Sequence, residues 1–509
     1  MDSIIIKSFL PEIFFSFSIM IQLLYNMEII GSHRFNFPIL DREYSIQSFF
    51  ILVIFFILVL NIKTFGFISN FTFVLDESSK WVKLMVTFYA LCILNALFFA
   101  FRMQKLNFIE FKSLLLFSLL SIYLMISSFD LLSFYLTVEF QSLCFYVLAS
   151  SKKNSSFSIE SGLKYFLTGS LVSAILLLGC SLLYLCLGTL KLSDLSLIFQ
   201  FGLSSYANHF LIPIYFGVIC ITVSILFKIA CAPLHFWAPD VYEGAPVFAT
   251  LIFSLLPKIA IVYFLIKWVN CFGVDFLFFK KLLFYIGLFS VILGTAYSLR
   301  QLRLKRLIIY SSIAQVGFIV AAISLSNLGG FSSSFFFINI YILNSLLIWY
   351  FLVFFYLNQY LVSKQISFYS VTPVYITSLS NFFFFNKNWA LSLFAILFSI
   401  GGIPPLTGFL SKIIILLEVT SFLKPFYAFF FLIISSLSVF YYIRLIKIFF
   451  FEPTQIKQKN YLYCSFNDYV YTNSYIFQSF LLFSLLAMFF YPNELILSCN
   501  YVLLSSLFF

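Results

Sequence analysis

Four ionisable side chains stand where a chain crossing a bilayer should have none. Glu139 lies in Leu136-Thr-Val-Glu-Phe-Gln-Ser142, Lys228 in Ile225-Leu-Phe-Lys-Ile-Ala230, and Lys258 in Leu255-Leu-Pro-Lys-Ile-Ala-Ile261. Lys412 follows the run Ile403-Pro-Pro-Leu-Thr-Gly-Phe409. An ionisable group at mid-membrane costs at least about 2.5–3.5 kcal/mol on the insertion scale, so such groups are kept for work. These four have apolar residues on both sides and are not placed to snorkel to the interface. Burial makes an ammonium easier to deprotonate and a carboxylate easier to protonate, which brings both into the range where protons exchange. A Glu–Lys pair adds a switch: each partner holds the other charged, and separating them releases the lysine proton. Glu139 with Lys228, then Lys258, then Lys412 is the proton relay these residues suggest. A static ion pair joining helices is the competing reading of any one pair.

Other residues join with less force. His235, with Asp240 and Glu243 beyond it, is either a proton donor to Lys228 or a satisfied polar group at a helix end. Lys164 is an auxiliary relay group or an anchor at the inner surface. Glu418 is a candidate exit group. Only three histidines occur and they are scattered, which argues against a metal site. Nine cysteines are spread singly with no Cys-x-x-Cys, as small apolar residues are, so no iron–sulfur or zinc site is expected. No Gly-rich phosphate loop follows a strand, so flavin and nucleotide sites are not expected either.

The elements that must position these charges are transmembrane helices. The sequence is 62% hydrophobic and 10% charged, with a mean hydropathy of +1.05. A soluble domain carries about a quarter charged residues. The net charge of +11 is scattered in short clusters between apolar runs, which is membrane orientation and not a nucleic-acid surface. Residues 1–7 lead into an apolar span that reads as a first helix and not as a cleavable leader. Phenylalanine, 75 of 509 residues, points to AT-rich codons such as an organellar genome uses.

With about 20 apolar residues per crossing, the chain divides into about fourteen spans near 9–30, 47–67, 81–101, 112–128, 130–150, 161–188, 210–237, 246–271, 281–299, 306–326, 332–358, 389–421, 426–451 and 475–507. The polar stretches 31–46, 359–388 and 452–474 read as loops. With the N-terminus outside, the inner loops collect most of the cations, among them Arg34, Lys105, Lys153, Arg303, Lys305, Arg306, Lys457 and Lys459. The outer loops hold only Lys63, Lys80, Lys191, Lys280, Lys281 and Lys424, a positive-inside pattern. The seventh and twelfth spans are each broken by proline, at Ala232-Pro-Leu-His-Phe236 and Ile403-Pro-Pro-Leu406, each with a lysine nearby. An odd spacing of five spans puts two such units in opposite orientation, as inverted repeats.

These stretches resemble a known family. Lys228-Ile-Ala-Cys-Ala-Pro-Leu-His-Phe-Trp-Ala-Pro-Asp-Val-Tyr-Glu-Gly-Ala-Pro246 is similar to the signature of the broken seventh helix of subunit 2 of NADH dehydrogenase, an antiporter-like subunit of respiratory complex I. Glu139-Phe-Gln-Ser-Leu-Cys-Phe-Tyr-Val-Leu-Ala149, Gly162-Leu-Lys-Tyr-Phe166, Lys305-Arg-Leu-Ile-Ile-Tyr-Ser-Ser-Ile-Ala-Gln-Val-Gly317, Gly401-Gly-Ile-Pro-Pro-Leu-Thr-Gly-Phe-Leu-Ser-Lys412 and Tyr441-Tyr-Ile-Arg-Leu-Ile-Lys447 follow in collinear order. The resemblance runs from about 130 to 450 and is nearest to the mitochondrial form, with chloroplast and bacterial counterparts similar.

What the resemblance implies is an all-α integral membrane fold of fourteen helices. Three N-terminal helices (1–108) precede two inverted five-helix repeats (109–272 and 281–451), and a loop and final helix follow (452–509). It implies a proton-translocating subunit of NADH:ubiquinone oxidoreductase in the mitochondrial inner membrane, beside other membrane-arm and antiporter-like subunits. NADH, FMN, iron–sulfur clusters and ubiquinone would be held by those other subunits and no cofactor by this chain. Glu139 and Lys228 match the family's first-repeat pair, Lys258 its bridging lysine, Lys412 its second-repeat lysine, and Lys164 and His235 its auxiliary groups. Residues 1–108 and 365–388 show little resemblance, and Gln315 stands where mitochondrial relatives commonly have histidine. A cation/proton antiporter subunit sharing this fold is the rival function, and a membrane scaffold without transport is a third.

Overall fold

In the computed structural model, residues 8–31, 37–63, 65–68, 72–104, 109–152, 155–202, 208–273, 276–365, 375–380, 383, 387–422, 425–452 and 468–507 are described. The loop cations Arg34, Lys105, Lys153, Lys424, Lys457 and Lys459 and most of the 366–386 stretch lie outside them. Helices α1 (Leu10–Gly31), α2 (Phe37–Leu60), α3 (Glu77–Gln104), α4 (Ile109–Ser127), α5 (Leu131–Ala149) and α6 (Ser156–Leu187) are followed by a short helix α7 (Leu192–Leu197). Then come α8 (Asn208–Ile229), α9 (Trp237–Gly244), α10 (Val247–Asn270), α11 (Leu277–Arg300), α12 (Leu304–Ser324) and α13 (Leu328–Gln365). The chain ends in α14 (Lys387–Gly401), α15 (Thr407–Phe422), α16 (Pro425–Phe450), α17 (Asp468–Phe490) and α18 (Pro492–Leu507).

Helices close all their backbone hydrogen bonds internally, which is why apolar runs in lipid take this form. Eleven helices among the described residues are long and apolar enough to cross a membrane, and twelve if the bent pair α17 and α18 counts as one span. The difference from the expected fourteen lies in α1 and in α14 with α15, whose halves are 15 and 16 residues long. The protein is a multi-pass helical membrane protein.

Three expectations change in detail. The seventh span, broken at its proline, ends beyond 237: α8 stops at Ile229, and the second half, α9, runs from Trp237 to Gly244. The last span is not one rod, because Pro492 opens a new helix and the chain turns by 86° there. The loop after the second span holds a small antiparallel hairpin, β1 (Gly66–Ile68) with β2 (Phe73–Leu75). Its Phe-rich strands give no helix-versus-strand signal by composition alone.

Two helices form the axis of the bundle. The spanning parts of α10 (Val247–Asn270) and α13 (Leu328–Val353) are buried along their whole length. Any charge on them faces protein and not lipid. Small residues let neighbouring helices close in: a Cβ on Gly287 of α11 would meet the Ala321 nitrogen of α12 at 2.8 Å, the close approach that stabilises helix pairs in membranes.

Loops assigned to the same side of the membrane meet. At one end, the Phe129 nitrogen donates to the Thr72 carbonyl at 3.0 Å and the Leu192 nitrogen to the Phe129 carbonyl at 3.1 Å. At the other, Ser158 donates to the Ala149 carbonyl, Arg303 pairs with Glu243 at 2.7 Å, and the Ile376 nitrogen donates to the Leu302 carbonyl.

Candidate proton-relay site

The first break is built by its own backbone. Lys228 sits in the last turn of α8, where the helix dipole favours a cation. Ala230 takes a left-handed φ of 65° and donates to the Phe227 carbonyl at 2.9 Å, while Cys231 donates to that of Leu226 at 3.0 Å. The Trp237 indole donates to the Phe227 carbonyl at 3.0 Å from across the gap. The Leu226 and Phe227 carbonyls at the end of α8 thereby keep donors inside protein, as they must at membrane depth. The Lys228 Nζ is buried and has no hydrogen-bond partner among the described residues.

Glu139, on α5, does not touch Lys228. Its Oε2 accepts from Ser142 at 3.4 Å, and its Oε1 is buried without a partner. The carboxylate still acts on the Lys228 ammonium through space. The contact expected of the pair is not made: no hydrogen bond or ion pair joins Glu139 and Lys228 among the described residues.

Lys258, on the buried axis α10, donates to the Tyr341 hydroxyl at 2.8 Å on α13 and lies 3.5 Å from Ser312 Oγ on α12. It therefore ties the buried axis to the second half of the chain. Beyond it, a small cavity of about 20 Å³ is lined by Ser311 and Tyr442 among apolar side chains, room for roughly one water. A Cβ on Gly401, at the second break, would be 3.6 Å from the Tyr442 ring.

Lys412, on α15, reaches back across the second break. Its Nζ donates to the Gly401 carbonyl at 2.7 Å and the Ile400 carbonyl at 3.1 Å, the last carbonyls of α14, which have no partner within their own helix. Gly402 turns the chain with φ +79°. The halves touch so closely that a Cβ on Gly408 would lie 1.7 Å from the Ser399 carbonyl oxygen. Overpacking of this kind costs about 1–3 kcal/mol or more. Gly408→Ala is expected to reduce the amount of assembled protein sharply, read as the intensity of its band on a native gel.

The auxiliary residues separate. Lys164 is half-exposed and pairs with Asp240 at 3.2 Å and Glu160 at 2.7 Å. It belongs to an inner-end cluster in which Glu243 holds Arg303 and Arg306, and Asp240 holds Arg306 at 3.1 Å. His235 is 2% exposed, and its Nδ1 has no partner among the described residues. It lies among Phe236, Tyr297 and Tyr310 rings. Glu418 accepts from Asn327 at 3.1 Å beside the start of α13, where a helix N-terminus favours an anion.

Sequence reasoning did not single out Ser312, Tyr341 or Tyr442 as relay partners. Ser312 and Tyr442 lie inside stretches that carry the family resemblance, and that was the available signal. It also passed over the buried charges Glu12, Asp76, Lys83 and Lys267.

A helical membrane bundle with two broken helices on either side of a buried lysine-bearing axis is the build of an antiporter-like membrane subunit. The family described as NADH:quinone oxidoreductase/Mrp antiporter, transmembrane region, matches residues 128–440. NADH-ubiquinone oxidoreductase chain 2 of Marchantia polymorpha is 33% identical over 451 residues, covering 87% of this chain and 88% of the relative. NADH-quinone oxidoreductase subunit N of Pelagibacter ubique is 34% identical over 449 residues, covering 87% and 89%. The chain therefore belongs to the NADH:quinone oxidoreductase/Mrp antiporter family, within the group of chain 2 and subunit N. Its fold is also that of a chain in respiratory complex I from Thermus thermophilus, with a TM-score of 0.75 at 22% identity over 96% of this chain and 98% of that one. A chain of the Mrp complex from a Dietzia species gives a TM-score of 0.78 at 15% identity, over 98% of each.

Proposed function

We propose that this chain is a proton-translocating membrane-arm subunit of a respiratory NADH:quinone oxidoreductase, in the mitochondrial inner membrane. It works beside other antiporter-like subunits. NADH, FMN, iron–sulfur clusters and ubiquinone belong to other subunits, and this chain supplies only groups that hold and pass protons. The observation that carries the reading is the Lys228 ammonium, buried without a partner at the end of a half-helix, with Lys258 and Lys412 beyond it.

Protons pass along Glu139, Lys228, Lys258 and Lys412. Lys258 hands on through the Tyr341 and Ser312 hydroxyls, which accept and donate in turn. When the field around Glu139 changes, Lys228 is the group most easily moved between its charged and neutral forms, since no hydrogen bond fixes it. His235 and Lys164 assist from the inner end. The fourteen spans and the inverted repeats 109–272 and 281–451 are part of this reading, supported by two broken helices of like construction at Ile229–Trp237 and Gly401–Thr407.

The test is native purification. The chain is expected to migrate in a large assembly that oxidises NADH with quinone. Recovery instead in a complex without that activity, one that exchanges sodium for protons, would overturn the proposal in favour of the cation/proton antiporter.

A further inference from the structure

Four more charges are sunk into the bundle, away from both breaks. Lys83 of α3 is fully buried and Glu12 of α1 nearly so, and they form an ion pair. Asp76, just before α3, is 2% exposed, and Lys267, in the last turn of α10, is 8% exposed. The Lys267 Nζ donates to the Ile126 carbonyl at 3.1 Å, at the end of α4, and stands 4.6 Å from the centre of the Tyr263 ring. Asp76, Lys83 and Lys267 act on one another electrostatically.

The set is neutral as drawn, two carboxylates with two ammoniums, yet it is not closed. Glu12 Oε2, Asp76 Oδ1 and the Tyr123 hydroxyl are buried without a hydrogen-bond partner among the described residues. A lock made only to join helices gains nothing from two open carboxylate oxygens, because each unsatisfied buried acceptor costs about 1–3 kcal/mol. A group that takes up and gives back a proton needs them.

Position supplies the second argument. Glu12 lies in the first turn of α1, Asp76 before α3, Ile126 at the end of α4 and Lys267 at the end of α10. All are at the end of the bundle where the β1–β2 hairpin meets the 127–131 and 188–192 loops, the outer face by the distribution of loop cations. Lys258 is on the same buried helix as Lys267, nine residues earlier, on the order of 13 Å along the axis. Tyr263 lies between them, and its hydroxyl is hydrogen-bonded to Ser78 at 2.6 Å.

We propose that Glu12, Asp76, Lys83 and Lys267 form a second proton-exchanging centre, a one-proton store on the outer side that α10 connects to the mid-membrane lysines. The proposal rests on the proton-translocating reading above. An arriving proton binds a carboxylate, Asp76 or Glu12, and the set becomes singly positive. Release to the outer aqueous face breaks that same O–H bond and restores neutrality.

The experiment measures protons pumped per NADH oxidised in reconstituted complex, with assembly checked on a native gel. The variants are Asp76→Asn, the charge-balanced double Asp76→Asn/Lys267→Met, and the charge-balanced double Glu12→Gln/Lys83→Met. Loss of pumping in assembled Asp76→Asn and in at least one double is expected. Full pumping in an assembled Asp76→Asn would overturn the proposal. Failure of all three to assemble would equally overturn it, marking a lock between α1, α3 and α10. Lys228→Met is the control: if it stops pumping while Asp76→Asn does not, this inference alone falls, and if both pump normally the relay reading falls with it.

Discussion

Complex carrying Lys228→Met is expected to assemble normally and to lose proton translocation through this subunit. The two halves of that result have separate causes. The Lys228 Nζ is buried and without a hydrogen-bond partner among the described residues. Removing it breaks no hydrogen bond, because Glu139 is not in contact with it, and costs Glu139 only the field of a nearby cation. Methionine fills much the same volume with a flexible apolar chain. An ammonium at membrane depth costs at least about 2.5–3.5 kcal/mol, and losing that cost offsets the field Glu139 loses, so assembly should survive. Chemistry should not survive. Loss of a positioned acid–base group slows proton transfer by on the order of 100-fold or more. The measurement is the pH change across the vesicle membrane per NADH oxidised, in reconstituted complex matched for native-gel intensity. An assembled variant that pumps at the parent rate would remove Lys228 from the path, and the buried charges would have to be structural.

Much of this was legible because a bilayer makes the sequence explicit. Lys228, Lys258 and Lys412 stand out from apolar runs whose length alone shows where mid-membrane falls, and the prolines at 233, 404 and 405 mark the breaks. Partners were not legible. Lys258 and Tyr341 are 83 residues apart, and no local pattern predicts their meeting. Lys83 and Lys267 sit near the ends of their spans, where a lysine is ordinarily an interfacial anchor. Only the packing of α1, α4 and α10 around them turns them into buried charges. The bend at Pro492 was not hidden in this way: Pro492-Asn-Glu494 interrupts the apolar run of 475–507, a proline signal like those at 233 and 404 that was passed over.

Lys412 should respond differently from Lys228, since it does two jobs. Its ammonium donates to the Ile400 and Gly401 carbonyls, so it caps α14 as well as standing at the end of the lysine line. Lys412→Met leaves both carbonyls buried without a donor from it. At about 1–3 kcal/mol for each group left unsatisfied, the second break should loosen and the yield of assembled complex should fall. Lys412→Arg keeps a cation and its donors at the same place, but a guanidinium does not give up its proton. The arginine variant is therefore expected to assemble better than the methionine variant and to pump no better. That ordering, good assembly with lost translocation, is what a proton carrier requires. If Lys412→Arg pumps like the parent complex, a permanent cation is enough, Lys412 is a cap and a field, and the path must leave the subunit before reaching it. Because Lys258 already touches Tyr341 and Ser312 from the buried axis, the exit would then have to run along α10 toward Lys267, where the buried acceptors Asp76 and Glu12 stand ready to receive the proton.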